Sequence, residues 1–408
     1  MLRVSTRTVY ESGTTQLSSL QAQIARTQQQ LSTNRRILSP SDDPIASARA
    51  LEVTQSQSIN TQYATNRQNA RTSLSQVELA LQGTTSLIQD VQTLTVNAGN
   101  GSLTQADRES IATELEGRLQ DLLGLANTSD GAGSYLFSGF KSTTQPFTLT
   151  ATGAQYHGDQ GQRELQVGSS RKVPISDSGS SVFESNPTGN GYFETAADAG
   201  NAARGGSGII SSGTVADATL LTGHNYAIDF AVANGSTTYT VTDTTTGLPV
   251  TAAPVAFQEG QQISFDGLAF DIKGQPADGD KFTVAPSQRQ SIFTTLTNLL
   301  GALRTPANGA TGVAQLTNSL KSASDNLNNS LDNVLSVRAS IGSRLKEMDY
   351  LDSTGDDLNI QYASTLSQLQ DLDTVAAISE FSQQQFTLEA AQKSFKTLTG
   401  LSLFNFIG

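Results

Sequence analysis

The chain has 408 residues, enough for two or three domains, and a net charge of −12. That charge argues against a nucleic-acid binder, whose phosphate contacts need a basic patch, and no Lys/Arg cluster is longer than Arg35-Arg36; attraction to an anionic membrane surface is disfavoured for the same reason. The absence of cysteine excludes disulfides, thiolate catalysis and Cys-ligated zinc, and the low apolar (36%) and charged (15%) shares suit a long, thin molecule that meets other polar protein surfaces.

The first residues hold Arg3 and Arg7 with no apolar stretch behind them, so they do not read as a cleaved signal peptide. Export, if it occurs, has to use another route. No apolar run approaches the length of a membrane span.

Composition divides the chain into three zones. Residues 1 to about 140 read as helix. Residues 141–289 are rich in Gly and Thr and hold Pro146, Pro174, Pro187, Pro249, Pro254, Pro276 and Pro286. Residues 290–408 read as helix again. The expected fold is therefore α+β: a long antiparallel coiled-coil bundle of the N- and C-terminal segments, with an inserted β-rich central domain. Three parts are expected. Segments 1–45 and 356–408 are terminal assembly helices. Segments 46–140 and 290–355 form a helical bundle domain. Segment 141–289 is a β-rich outer domain.

Leu17, Leu20, Ile24 and Leu31 make one narrow stripe on the first helix. Pro40 is expected to stop it. Asp43 then reads as an N-cap, with Pro44 at the first position of the next helix. Tyr63, Ala70, Leu74, Val77, Leu81, Thr84, Ile88 and Val91 alternate in sevens, threes and fours, the seam of a coiled coil. A shorter helix follows through Ile111, Leu115, Leu119 and Leu122.

In the central zone, Tyr226–Val232 and Thr238–Thr242 alternate at period 2 around Asn234-Gly235, a hairpin signal. Ile263–Ile272 reads as a second hairpin, and Asp278-Gly279-Asp280 turns the chain into Phe282-Thr283-Val284.

The third zone resumes the stripe with Leu327, Leu331, Val334, Ile341, Leu345 and Met348. An interruption is expected at Asp352–Asp357. A last helix then carries Tyr362, Leu366, Leu369, Leu372, Val375, Ile378, Phe381, Leu388, Ala391, Phe395 and Leu398, and an apolar tail through Phe404, Phe406 and Ile407 needs a partner. Residues 1–45 hold five arginines against three acids. From 356 onward, six acids face two lysines. Opposite signs favour pairing the two ends with each other.

The residues carry no catalytic constellation. His157 and His224 each sit beside glycine and read as structural. Asp42-Asp43 ahead of Pro44 reads as helix capping rather than an acid/base pair. Asp278-Gly279-Asp280 lacks the EF-hand spacing, and Gly205-Gly206-Ser207-Gly208 lacks the Lys-Ser/Thr of a phosphate loop. No enzyme, cofactor or metal is expected.

Several segments resemble the flagellin family. Arg35-Arg36-Ile37-Leu38-Ser39-Pro40-Ser41-Asp42-Asp43-Pro44 is similar to the family's N-terminal signature, and Ala339–Leu345 to the "IGARL" of its C-terminal half. Gly133–Gly139, Gln384–Phe395 and the ending Leu401-Ser402-Leu403-Phe404-Asn405 are most similar to the hook–filament junction members of that family. The resemblance implies a structural adaptor of the extracellular bacterial flagellum, exported without a cleaved signal peptide, whose terminal segments 1–45 and 356–408 are disordered in the monomer and order on assembly. It implies four partners: the first hook-associated protein on the hook side, flagellin on the filament side, a ring of like subunits, and an export chaperone on the C-terminal helix. Leu17, Leu20, Ile24, Leu31, Leu366, Leu369, Phe381, Leu388, Phe395, Leu398 and Phe404 are then the candidate assembly interface. Pro40, Asp42, Asp43 and Pro44 form the helix-break signature. Two alternatives stand beside this reading. One is a flagellin proper, which would build long filaments by itself. The other is a secreted β-domain adhesin or enzyme on a helical stalk.

Overall fold

The structure is a computed structural model that describes residues 6–400, with side chains over 7–397. The fold is α+β, with long N- and C-terminal helices that pack together and a β-rich centre. The helices before the centre are α1 (Thr6–Thr33), α2 (Pro44–Ala98) and α3 (Gln105–Ala126). Short strands follow: β1 (Phe147–Thr150), β2 (Gly153–Tyr156), β3 (Glu164–Gln166), β4 (Lys172–Pro174) and β5 (Asn186–Pro187). Next come β6 (Phe193–Ala197), the single-turn α4 (Asn201–Arg204), β7 (Ile209–Ile210), β8 (Thr214–Val215), β9 (Tyr226–Ala233) and β10 (Ser236–Asp243). The centre closes with β11 (Leu248–Pro249), β12 (Val255–Ala256), β13 (Gln262–Phe265), β14 (Leu268–Lys273), β15 (Lys281–Pro286) and β16 (Arg289–Gln290). Three helices complete the chain: α5 (Ile292–Arg304), α6 (Gly309–Gln370) and α7 (Thr374–Gly400).

The chain divides into two compact units. One comprises Met1–Thr65 and Tyr350–Gly408, described here from residue 6 to residue 400. The other is Asn66–Asp349.

In the unit Asn66–Asp349 the α2 seam is buried as its spacing predicts. Ala70, Leu74, Val77, Leu81, Thr84, Ile88 and Val91 all lie in the interior. Leu74, Val77, Leu81, Ile88 and Val91 share a core with Leu327, Val334 and Ile341 of α6 and with Leu115, Leu119 and Leu122 on the apolar face of α3. Each such side chain contributes about 1.5–3 kcal/mol of transfer free energy. Helix α5 belongs to this core: Phe293 packs on Phe147, which meets Phe183 edge-on. Local signals set the helix starts. Thr104 and Asp107 form a capping box on α3, and the Ser291 hydroxyl accepts from the Phe293 amide of α5.

A second, separate core lies among the strands. It joins Phe193, Tyr226, Ile228, Phe230 and Phe282 from one sheet to Ile263, Phe270 and Ile272 from another. The sheet orders are β11-β10-β9-β15-β6, with β12 also on β10, and β13-β14-β7, with β8 also on β14. The hairpin at Asn234-Gly235 pairs Ala233 with Ser236, and both turn residues have positive φ (55° and 79°), the type I′ requirement. Asp266-Gly267 repeats this between Phe265 and Leu268.

Two sequence expectations are corrected. Helix α6 runs unbroken through Asp352–Asp357. The glycine in that stretch, Gly355, is buried, and its carbonyl accepts from Asn60 Nδ2 at 2.7 Å; the same amide reaches Asn359 Oδ1 at 2.9 Å. Missing side-chain bulk there serves close helix packing instead of ending the helix. The break lies further on, at Asp371–Asp373. Helix α1, for its part, ends at Thr33, not at Pro40: Asn34 takes the left-handed conformation (φ 53°) that closes helices.

Candidate assembly surface

Within the unit built from the two ends, α1 and α7 pack antiparallel. The Tyr10 and Phe395 rings stand 5.3 Å apart, and Thr27 Oγ1 donates to Gln384 Oε1 at 3.1 Å. Gly13 makes room for Phe395; a Cβ there would fall 2.5 Å from the ring. Leu17, Leu20, Ile24 and Leu31 are half-buried along α1, as are Phe381, Leu388 and Phe395 along α7. Half-burial is what one neighbour gives a stripe on an isolated helix pair. Leu366 and Leu369 are half-buried too, but they belong to the end of α6 rather than to the last helix. The Leu398 side chain and Phe404 lie outside the described residues.

Beyond the stripe, large apolar residues remain in solvent. Val375 (77%), Ile378 (56%) and Phe386 (74%) are exposed on α7, as are Ile45 and Leu51 on α2 and Ile360 on α6. The stripe count on its own does not pick out Phe386, Ile45, Leu51 or Ile360. Exposed rows of this kind mark protein contact sites.

The helix-break signature is a turn held by its own acids. Asp42 Oδ2 accepts from the Leu38 and Ser39 amides at 3.0 Å each, while Oδ1 meets Arg26 at 2.9 Å. The Ser39 and Leu38 amides, with Arg26 beside them, hold the Asp42 carboxyl below the usual carboxylate range. Asp43 Oδ1 caps α2 by accepting from the Ala46 amide at 2.9 Å, directly ahead of Pro44. Pro40 sits exposed in the turn ahead of both acids. The C-terminal break is capped in the same way: Asp373 Oδ1 accepts from Ala376 at 3.0 Å.

The two breaks are joined. Arg35 and Asp371 form an isolated antiparallel bridge, and the Arg36 amide donates to Gln370 O at 2.8 Å. The Arg36 guanidinium donates to Leu369 O (2.8 Å) and to Asp43 (3.3 Å). The two ends pack on each other, and three arginines of the N-terminal segment also make ion pairs within it. Arg7, Arg26 and Arg36 make ion pairs with Glu11, Asp42 and Asp43 of their own segment. The ends share apolar packing, main-chain bonds and the side-chain bonds of Thr27 to Gln384 and of Arg36 to Leu369 O.

The histidines have local partners. His157 Nε2 shares a 2.7 Å hydrogen bond with Thr148 Oγ1, and His224 Nδ1 one of 2.8 Å with Asp243. Asp278 and Asp280 accept from the Val232 and Ala277 amides and shape their turn. Among the described residues no group of three or more His, Asp or Glu is placed to hold a metal ion, and no helix is long and apolar enough to cross a membrane.

Residues 4–142 match the family model of the bacterial flagellin N-terminal helical region, and residues 198–286 match that of the D2-like domain of flagellar hook-associated protein 1. The chain is 30% identical over 404 residues to flagellar hook-associated protein 3 of Salmonella typhimurium, covering 99% of both chains; the Escherichia coli protein of the same name gives the same figures. Among solved structures it is similar to flagellar hook-associated protein 3 of Legionella pneumophila (TM-score 0.73, 31% identity, 78% of this chain and 98% of that one). It is also similar to Xanthomonas campestris FlgL (TM-score 0.70, 28% identity, 77% and 99%).

Proposed function

This chain belongs to the flagellar hook-associated protein 3 family, and from that premise we propose that it is the structural adaptor that joins the hook-associated proteins to the flagellin filament in the extracellular bacterial flagellum. The observation that carries the reading is the end-to-end match, which takes in both terminal helices and the β-rich centre. A flagellin proper is the weaker reading, because the full-length relatives are named for the hook-associated position and not for the filament.

The proposed working surface is the α1–α7 pair. Leu17, Leu20, Ile24 and Leu31 on one helix and Phe381, Leu388 and Phe395 on the other close one face. Val375, Ile378 and Phe386 are left for neighbours. Neighbouring copies that add helices to these rows would extend the pair into a coiled-coil layer. On one side of that layer stands the first hook-associated protein, and on the other flagellin. Before export, α7 with its exposed apolar row is a fitting surface for a chaperone. Nothing in this mechanism asks for an active site.

The test is a deletion strain of the bacterium that carries this chain. It should build hooks and release flagellin into the medium, and the intact gene should restore filaments. Normal filaments in the deletion strain would refute the assignment. Limited proteolysis of the monomer tests the proposal that the ends order only on assembly: about 40 residues should be lost quickly from each end. Resistant ends would count against it.

A further inference from the structure

Helix α6 carries two stripes within the unit Asn66–Asp349. The apolar one feeds the bundle core. The other is polar and comprises Asn318, Ser322, Asp325, Asn326, Asn329 and Asn333, at helical spacing. It faces the main chain of the β-rich centre. Asn333 Nδ2 donates to Ser181 O, Val182 O and Asn186 Oδ1, and Asn329 Nδ2 donates to Pro187 O and Gly189 O. Asn326 Oδ1 accepts from the Gly189 amide. Further along, Asn318 accepts from the Ile210 amide at 3.0 Å and donates to Gly208 O at 3.0 Å, and the Ser212 hydroxyl donates to Asp325.

Three observations make this seam different from an ordinary core contact. The β core holds no residue of α6, so the two apolar cores are disjoint. A cavity of about 240 Å³ lies along the seam, lined by Glu194, Thr195, Lys321 and Asp325 together with the apolar Ile210 and Leu299. The chain passes between bundle and strands through one narrow ribbon, β5 paired with β16, where Asn186 faces Gln290 and Pro187 faces Arg289. Asn329 and Asn333 pin that ribbon. Asn318 and Asp325 lie one to four turns nearer the start of α6.

We propose that residues 193–286 form an arm that tilts on α6, with the β5–β16 ribbon and Asn329/Asn333 as pivot and Asn318 with Asp325–Ser212 as a releasable latch. A hydrogen bond between protein groups is exchanged for one to water at small net cost, whereas exposing an apolar interface is not. Opening at the latch would exchange polar bonds for bonds to water and wet little apolar surface beyond Ile210, Leu299 and Ala323, which already line the cavity. Such compliance would let one rigid bundle accept neighbours at different angles.

The chain has no cysteine, so spin labels can be placed cleanly at Ser86→Cys on α2 and Ser236→Cys on the hairpin tip, both exposed. With the latch intact, the distance between them should be a single narrow distribution. In the N318A/D325A variant it should broaden or shift, with melting of the strands unchanged. The same narrow distribution in both, or loss of the β core in the variant, overturns the proposal. Hydrogen exchange on the unaltered chain gives an independent reading. The Ile210 amide should exchange at least about tenfold faster than the protected amides of β9 and β10. Equal rates would mean that the latch opens only when the strands unfold, and the arm would then not exist.

Discussion

Arg35 and Asp371 stand opposite each other in an antiparallel bridge, where the two ends of the chain leave their helices together. The turn at Asn34–Asp43 and the turn at Asp371–Asp373 are thus one feature built from two distant segments. Main-chain bonds join them, and acids cap the helices that leave. Both helices of the terminal pair start or stop at this junction, so it sets the register of the pair.

Arg36 spans the junction, so Arg36→Ala should loosen it. The bonds to Leu369 O and Asp43 disappear. Protease cleavage within residues 34–43 and 371–373 should become severalfold faster, while melting of the Asn66–Asp349 unit stays put. An unaltered cleavage pattern would show that the main-chain bridge holds without it.

Phe386→Ser separates assembly from folding. The ring is exposed, so monomer stability should change by less than about 0.5 kcal/mol. Attachment of purified protein to hook tips should nevertheless fall sharply, as seen by electron microscopy. Wild-type attachment would remove Phe386 from the working surface.

Gly13→Val tests the packing between the terminal helices. The added side chain meets the Phe395 ring, which has to move. The expected result is weaker α1–α7 pairing in the assembled protein, read as faster hydrogen exchange in both helices, with the strands unaffected.

Asp280→Asn should stabilise the protein at neutral pH. The side chain is fully buried and Oδ1 has no partner. Burial pushes the carboxyl pKa up, against the smaller pull of the Ala277 amide. A raised folded pKa means that the stability is fully present below the unfolded value of about 3.9 and is lost as pH rises through the folded one. Asparagine keeps an acceptor for Ala277 without the charge. The gain in Tm at pH 7 should therefore shrink as the pH approaches about 4.

Asp243 has the opposite sign. Burial pushes it up, but the Thr246 hydroxyl, the His224 ring and the Thr246 and Thr245 amides outweigh that and hold it at about 2. A depressed folded pKa means stability present above about 3.9 and lost as pH falls toward about 2. Asp243→Ala should lower Tm at pH 7 and flatten the Tm profile over that acid window.

The features legible in the sequence were those that depend on near neighbours. Leu74 through Val91 announce their seam by spacing, and Asn234-Gly235 and Asp266-Gly267 announce their turns by chemistry. Asp371-Leu372-Asp373 escaped notice because it breaks a helix without Pro or Gly. Its bonds come from Asn34 and Arg36, more than three hundred residues away. Gly355 misled for the converse reason: its role is set by Asn60, on another helix. The asparagines of α6 carry no signal of their own in the sequence, since their partners are mostly carbonyls and amides that carry no residue identity. On the working surface, periodicity located the half-buried stripe. The exposed Phe386, Ile45, Leu51 and Ile360 fall off that period, and exposure is a property of the folded neighbourhood.

The pairing of β5 with β16 has a consequence for how such a chain can vary. Entry and exit of residues 193–286 lie side by side, about 5 Å apart as in any strand pair. The bundle therefore offers a socket with two adjacent terminals. A domain of different size or fold, plugged in there, would leave the register of α2, α5 and α6 undisturbed. Length and surface at this site are free to drift under selection from the surroundings, or to be replaced by design, without renegotiating the rest of the molecule.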